Sequence, residues 1–148
     1  MRAVVQRASW AEVEVGAEVI GRIGRGVVVF LGVGREDSEA DAAWLADRIA
    51  RMRIFEGDGG DISARDLECE ALVVSQFTLH ASTKKGTRPS YHRAARPEVA
   101  EPLYEGFCRE LSAHLGGRVA KGQFGAMMSV RLCNEGPVTI VMDSQSKE

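Results

Sequence analysis

Residues 27–33, Val27-Val28-Val29-Phe30-Leu31-Gly32-Val33, form an unbroken apolar run rich in β-branched side chains. Such side chains fit a pleated strand and are crowded in a helix. A strand wetted on one face would alternate polar and apolar positions. This one does not, so it predicts a central strand covered on both faces. Upstream, Glu12-Val13-Glu14-Val15 does alternate, as a half-buried strand should. Gly16-Ala17 and Gly24-Arg25-Gly26 mark turns on either side of residues 19–23. The opening Met1-Arg2-Ala3-Val4-Val5-Gln6-Arg7 has only a short apolar piece and no small-residue cleavage site, and reads as a first strand rather than a signal peptide.

Two helices follow from spacing. Asp37-Ser38 offers an N-cap, Glu39 and Asp41 stand in the first turn, and Ala42, Leu45, Ile49 and Met52 recur on one face. Arg48, Arg51 and Arg53 suit the far end. Val99, Leu103, Phe107 and Leu111 predict a second helix from Pro97 or Pro102 to Leu115, ended by Gly116-Gly117. A buried strand is expected over residues 71–79. Two closing strands are expected over residues 128–132 and 138–142, joined by a sharp turn at Asn134-Glu135-Gly136-Pro137. No repeat or linker interrupts the chain. The expectation is one mixed α/β domain over residues 1–148, a strongly curved sheet or small β-barrel packed by two principal helices.

Composition excludes some functions. No apolar run approaches the roughly 20 residues of a membrane-crossing helix. The three cysteines, Cys69, Cys108 and Cys133, are scattered and odd in number, which fits a reduced, cytoplasmic setting better than a disulfide framework. Gly57-Asp58-Gly59-Gly60-Asp61 lacks the spaced ligands and closing Glu of a calcium loop. Net charge is −2, so any nucleic-acid contact must rest on a local patch. Lys84, Lys85, Arg88, Arg93 and Arg96, with no acid among them, are either such a patch or a solvated loop.

On a strand, Gln76, Thr78 and His80 would share one face and Ser75, Phe77 and Leu79 the other. Ser75 and Thr78 can simply satisfy the end of a sheet. Thr78 as nucleophile with His80 as base is a second possibility, with no evident acid to orient the histidine. His92 and His114 show no ligand spacing. Gly136-Pro137 is compatible with a trans turn or a cis one. Its tip leaves backbone groups bare for close approach to a ligand.

Ser75-Gln76-Phe77-Thr78-Leu79 resembles the SQxTL signature of D-aminoacyl-tRNA deacylases (the D-tyrosyl-tRNA deacylase family), and Asn134-Glu135-Gly136-Pro137-Val138-Thr139 resembles their NxGPVT signature. The resemblance extends over Met1 to Arg7, residues 84–91, Phe124-Gly125-Ala126 and the ending at Asp143-Ser144. It implies a cytoplasmic homodimer with active sites at the subunit interface, acting on the acceptor end of aminoacyl-tRNA without metal or cofactor. Ser75, Gln76, Phe77 and Thr78 carry over as the pocket floor. Gly136 and Pro137 carry over as a chiral filter reaching into the neighbouring subunit, braced by Arg7 and flanked by Asn134 and Thr139. Phe124 and Met128 match residues lining the adenosine end, with Lys84, Lys85 and Arg88 on the tRNA side. The implied reaction is ester hydrolysis of D-aminoacyl-tRNA, and of glycyl-tRNA mischarged on tRNA-Ala. Water attacks with help from the substrate's 2′-hydroxyl, and backbone N–H groups near Phe77 and Thr78 hold the oxyanion. Met127 and Tyr91 depart from the family's usual Asp and Phe, and residues 58–70 also diverge. The competing readings are a non-catalytic nucleic-acid-binding dimer and a Thr78-dependent hydrolase of small esters.

Overall fold

A computed structural model describes residues 1–148. In chain order it contains β1 (Arg2–Val15), β2 (Glu18–Ile23), β3 (Gly26–Gly32), α1 (Glu39–Arg51), β4 (Arg53–Phe55) and β5 (Ile62–Ser63). There follow β6 (Glu70–Ser75), a 3-10 turn (Phe77–His80), α2 (Pro97–His114), β7 (Val119–Lys121) and β8 (Ser129–Asp143).

β1 organises the sheet. Its first half, Arg2 to Ala8, pairs antiparallel with β3, and its second half pairs antiparallel with β2. Gly16 and Ala17 make the β1–β2 turn with φ of 56° and 65°, the two-residue geometry whose twist suits a right-handed sheet. β8 runs antiparallel along the other edge of β1. β6 lies parallel to β3, and β7 parallel to β6. Parallel neighbours need a long crossover, and α1 and α2 supply the two that are required. β2 curls round towards β7, where a Cβ on Gly21 would stand 3.0 Å from the Lys121 carbonyl oxygen. The result is a nearly closed, barrel-like sheet.

Both faces of β3 are covered, as its composition predicts. Val27, Val29 and Leu31 join Leu45 and Ile49 of α1 and Tyr104, Phe107 and Leu111 of α2 in the larger core. Val28 points the other way, into a smaller core with Ala8, Ala11, Val13, Ile23, Leu72 and Val74 inside the curl. α1 begins as expected: the Asp41 carboxylate accepts the Ser38 N–H (2.8 Å) and hydroxyl (3.0 Å). α2 starts at Pro97, where a missing N–H costs nothing, and Pro102 rides within its early turns.

Two expectations are corrected. The strand over residues 71–79 stops at Ser75, because Gln76 leaves extended geometry and residues 77–80 wind into the 3-10 turn. The alternating faces assigned to residues 75–80 therefore do not exist. The two closing strands are one element, β8, and residues 134–137 do not reverse the chain. Gln6 faces Thr139 and Ala8 faces Asn134, so Arg7 alone stands opposite the looped-out residues 135–138. Both halves of β8 pair with the same strand, so the extra residues must bulge outward. The short strands β4, β5 and β7 were not foreseen.

Candidate active site

The first signature lies where β6 gives way to the 3-10 turn. The Gln76 N–H is tied to the Leu31 carbonyl at 2.7 Å, which fixes the turn to the end of β3. Gly32 permits this: a Cβ there would meet the Gln76 carbonyl oxygen at 2.8 Å and Leu79 Cβ at 3.0 Å. The turn closes with Leu79 N–H donating to Gln76 O and Ala81 N–H to Thr78 O. The first N–H groups of a helical turn have no partner inside it. Those of Phe77 and Thr78 donate to nothing outside it either. Phe77 is 56% exposed, and its ring meets Tyr91 edge-on at 5.1 Å.

Thr78 and His80 do not form a dyad. The Gln76 side-chain amide donates to Thr78 Oγ1 at 2.5 Å. His80 is 7% exposed and shares a hydrogen bond with the Gly32 carbonyl through Nε2 at 3.1 Å. Burial pushes its pKa below the ordinary histidine value, partly opposed by that carbonyl. It packs under the turn as a neutral ring. His92 meets Ser90 at the surface, and no three His, Cys, Asp or Glu side chains converge on one point.

The second signature is the β8 bulge. The Gly136–Pro137 bond within it is cis. The Asn134 amide clips its neck, donating to the Arg7 carbonyl (2.9 Å) and the Val138 carbonyl (3.1 Å). Arg7 Nε donates to the Glu135 carbonyl at 3.1 Å, and its Nη1 to the Ile54 carbonyl. The Glu135 carboxylate lies 3.8 Å from Arg7 Nε and 3.4 Å from Arg25 Nε. Arg25 in turn lies over the Phe55 ring. Sequence reading missed Arg25 and Glu135, since nothing local connects residues 110 positions apart. Thr139 Oγ1 accepts from the Gln6 amide at 3.0 Å. Of the remaining candidates, Phe124 packs on Tyr104, Met128 lies against the smaller core, and Lys84, Lys85 and Arg88 are exposed.

Within one chain the two signatures are far apart. The bulge stands at Arg7, which is opposite Val27, and Val27 is level with Ala71 at the start of β6. Ser75 is level with Leu31, at the other end of β6. β1 and β3 also lie between β8 and β6. At strand spacings of roughly 4.8 Å and a rise of roughly 3.3 Å per residue, the separation is on the order of 20 Å. One chain does not bring Gly136 and Pro137 to Phe77.

This architecture, a nearly closed sheet with two crossover helices, is shared by a known class of solved α/β chains. One, described as a c-Myc DNA Unwinding Element Binding Protein, superposes with a TM-score of 0.91 at 40% identity, covering 97% of this chain and 98% of that one. Another, a probable eukaryotic D-amino acid tRNA deacylase, shares the fold with a TM-score of 0.84 at 20% identity, covering 95% and 97%. The model of the D-Tyr-tRNA(Tyr) deacylase family matches residues 4–143. Curated D-aminoacyl-tRNA deacylases from Opitutus terrae and Akkermansia muciniphila are 54% and 53% identical over 150 aligned positions, covering the whole of each chain. The chain belongs to the D-Tyr-tRNA(Tyr) deacylase family, a family of hydrolases.

Proposed function

We propose that this protein hydrolyses the ester of D-aminoacyl-tRNA, releasing a free D-amino acid and tRNA, as a homodimer with two sites at the subunit interface. The observation that carries this reading is the separation just described. Each signature is braced and exposed, yet the two stand too far apart in one chain to form one pocket. A second copy supplies the missing half, setting its Gly136-Pro137 bulge over the Phe77–Thr78 turn. Apolar groups left bare on β8 and its partner strand, with Val141 at 74% exposure and Trp10 at 44%, are consistent with a covering subunit.

In this site water attacks the ester carbonyl, the C–O bond to the terminal ribose breaks, and the leaving oxygen takes a proton. The substrate's 2′-hydroxyl assists. The free Phe77 and Thr78 N–H groups donate hydrogen bonds to the developing oxyanion. Gln76 holds Thr78, which positions rather than attacks. The bulge presents main-chain atoms where an L side chain would project, while a D side chain points elsewhere. Glycine has no side chain to reject, so glycyl-tRNA, including tRNA-Ala mischarged with glycine, is a second substrate.

The test is a pair of single-turnover assays on one tRNA charged with D- or L-tyrosine, with the dimer verified by sedimentation. Loss of the D ester alone is expected. Loss of both would keep the hydrolase and remove the exclusion argument. The name of the 40%-identical neighbour gives substance to a second reading, a nucleic-acid-binding module without turnover. Loss of neither ester from a folded dimer would favour it.

A further inference from the structure

The basic run after the 3-10 turn is tied by the fold to a distant arginine. Arg35 N–H donates to the Arg93 carbonyl at 3.2 Å, Gly34 pairs with Ala94, and Ala95 N–H donates to the Val33 carbonyl. Arg35 and Arg93 thereby stand side by side on the rim of a cleft also lined by Arg2, Glu36, Asp37, His80, His92 and Asp143. A second hollow joins Arg35 to Arg96.

The charges in the cleft do not cancel. Asp37 is bonded to the Gly34 N–H and the Met1 amino group, and Asp143 is paired with Arg2 at 2.9 Å. Glu36 is the one acid left without a cation. Arg35, Arg93 and Arg96 are exposed and have no carboxylate within 4 Å. The cleft also adjoins the turn directly. His80 ends that turn, Arg2 Nη1 donates to the Leu79 carbonyl at 3.0 Å, and Tyr91, which packs on Phe77, is two residues from Arg93.

We infer that Arg35 and Arg93 form a phosphate clamp for the RNA backbone leading away from the scissile ester. This rests on the aminoacyl-tRNA reading above and assigns that substrate a second contact surface. Guanidinium groups pair with phosphate oxygens bidentately, and neighbouring arginines with no carboxylate within 4 Å suit a polyanion. Such contacts hold register and carry no base specificity.

The experiment measures binding of fluorescently labelled uncharged tRNA by anisotropy over a range of KCl concentrations, for the native dimer and for Arg35→Gln/Arg93→Gln. The Arg35 contact to residue 93 is made by backbone, so the substitution leaves it in place. Each lost phosphate contact lowers the slope of log K against log[KCl] by about 0.7–0.9, so the double variant should lose about 1.4–1.8. Affinity should also weaken at least tenfold near physiological salt. Hydrolysis of D-tyrosyl-adenosine, which lacks the backbone, should be unchanged. An unaltered slope overturns the clamp, as does a variant whose binding loss is matched by dissociation of the dimer. Failure of the native protein to cleave either D ester would instead refute the hydrolase reading, and the anisotropy slope would still decide the clamp.

Discussion

Asn134→Ala tests whether the bulge excludes L substrates by being held in place. The Asn134 amide makes two neutral hydrogen bonds across the neck of residues 135–138, at 2.9 and 3.1 Å. A neutral bond contributes about 0.5–1.5 kcal/mol net, so the clip is worth about 1–3 kcal/mol. On the proposed reading, an L side chain enters only by displacing the bulge. Removing the clip lowers the cost of that displacement by at most the same amount. With a factor of ten per roughly 1.4 kcal/mol, discrimination should fall about 5- to 150-fold. Arg7 still holds the Glu135 carbonyl, so the lower end is expected. The readout is the ratio of single-turnover rates on D- and L-tyrosyl-tRNA, with the D rate nearly constant and the L rate rising. An unchanged ratio in a folded dimer would refute the reasoning. Equal falls in both rates would mean that the pocket itself had collapsed.

Thr78→Ala removes one hydrogen bond, worth about 1 kcal/mol, and should slow D-ester cleavage only about fivefold; a loss beyond a thousandfold would restore Thr78 as nucleophile. Gly32→Ala drives a Cβ against the Gln76 carbonyl at 2.8 Å, so it should displace the 3-10 turn, cost about 1–3 kcal/mol and lower Tm by several degrees in calorimetry, with kcat falling too. His80 is buried neutral with its pKa depressed, so its contribution to stability is present above the unfolded value near 6.5 and is lost as pH falls through the folded value. His80→Gln should flatten that acid limb in urea melts between pH 7 and 5, and leave the pH profile of kcat unmoved. A shifted kcat profile would contradict a purely packing role for His80.

Much of this architecture is local in origin. The run at residues 27–33 is apolar at every position, so it can only be covered twice, and α1 carries its own cap at Ser38 and its own buried stripe. The Gly16-Ala17 turn needs no distant partner. The end of β6 is different. Residues 71–79 read as one strand because Phe77 and Leu79 have strand-like side chains, yet the Gln76–Leu31 bond and the bare Cα of Gly32 pull the chain into a turn there. The bulge is similar: a Gly-Pro pair between two strand-like segments looks like a hairpin until both segments prove to pair with β1.

The sequence by itself determined the central strands, both helices, the two signature segments and the family, because periodicity, caps and short motifs are properties of neighbouring residues. Tertiary structure alone decided that His80 is packing rather than base, that Arg25 and Glu135 steady the bulge, and that Arg35 stands beside Arg93. It also decided that Gly136 and Phe77 stand apart in one chain. Strand register sets these relations, and pairing across a sheet joins residues whose separation along the chain carries no record of it.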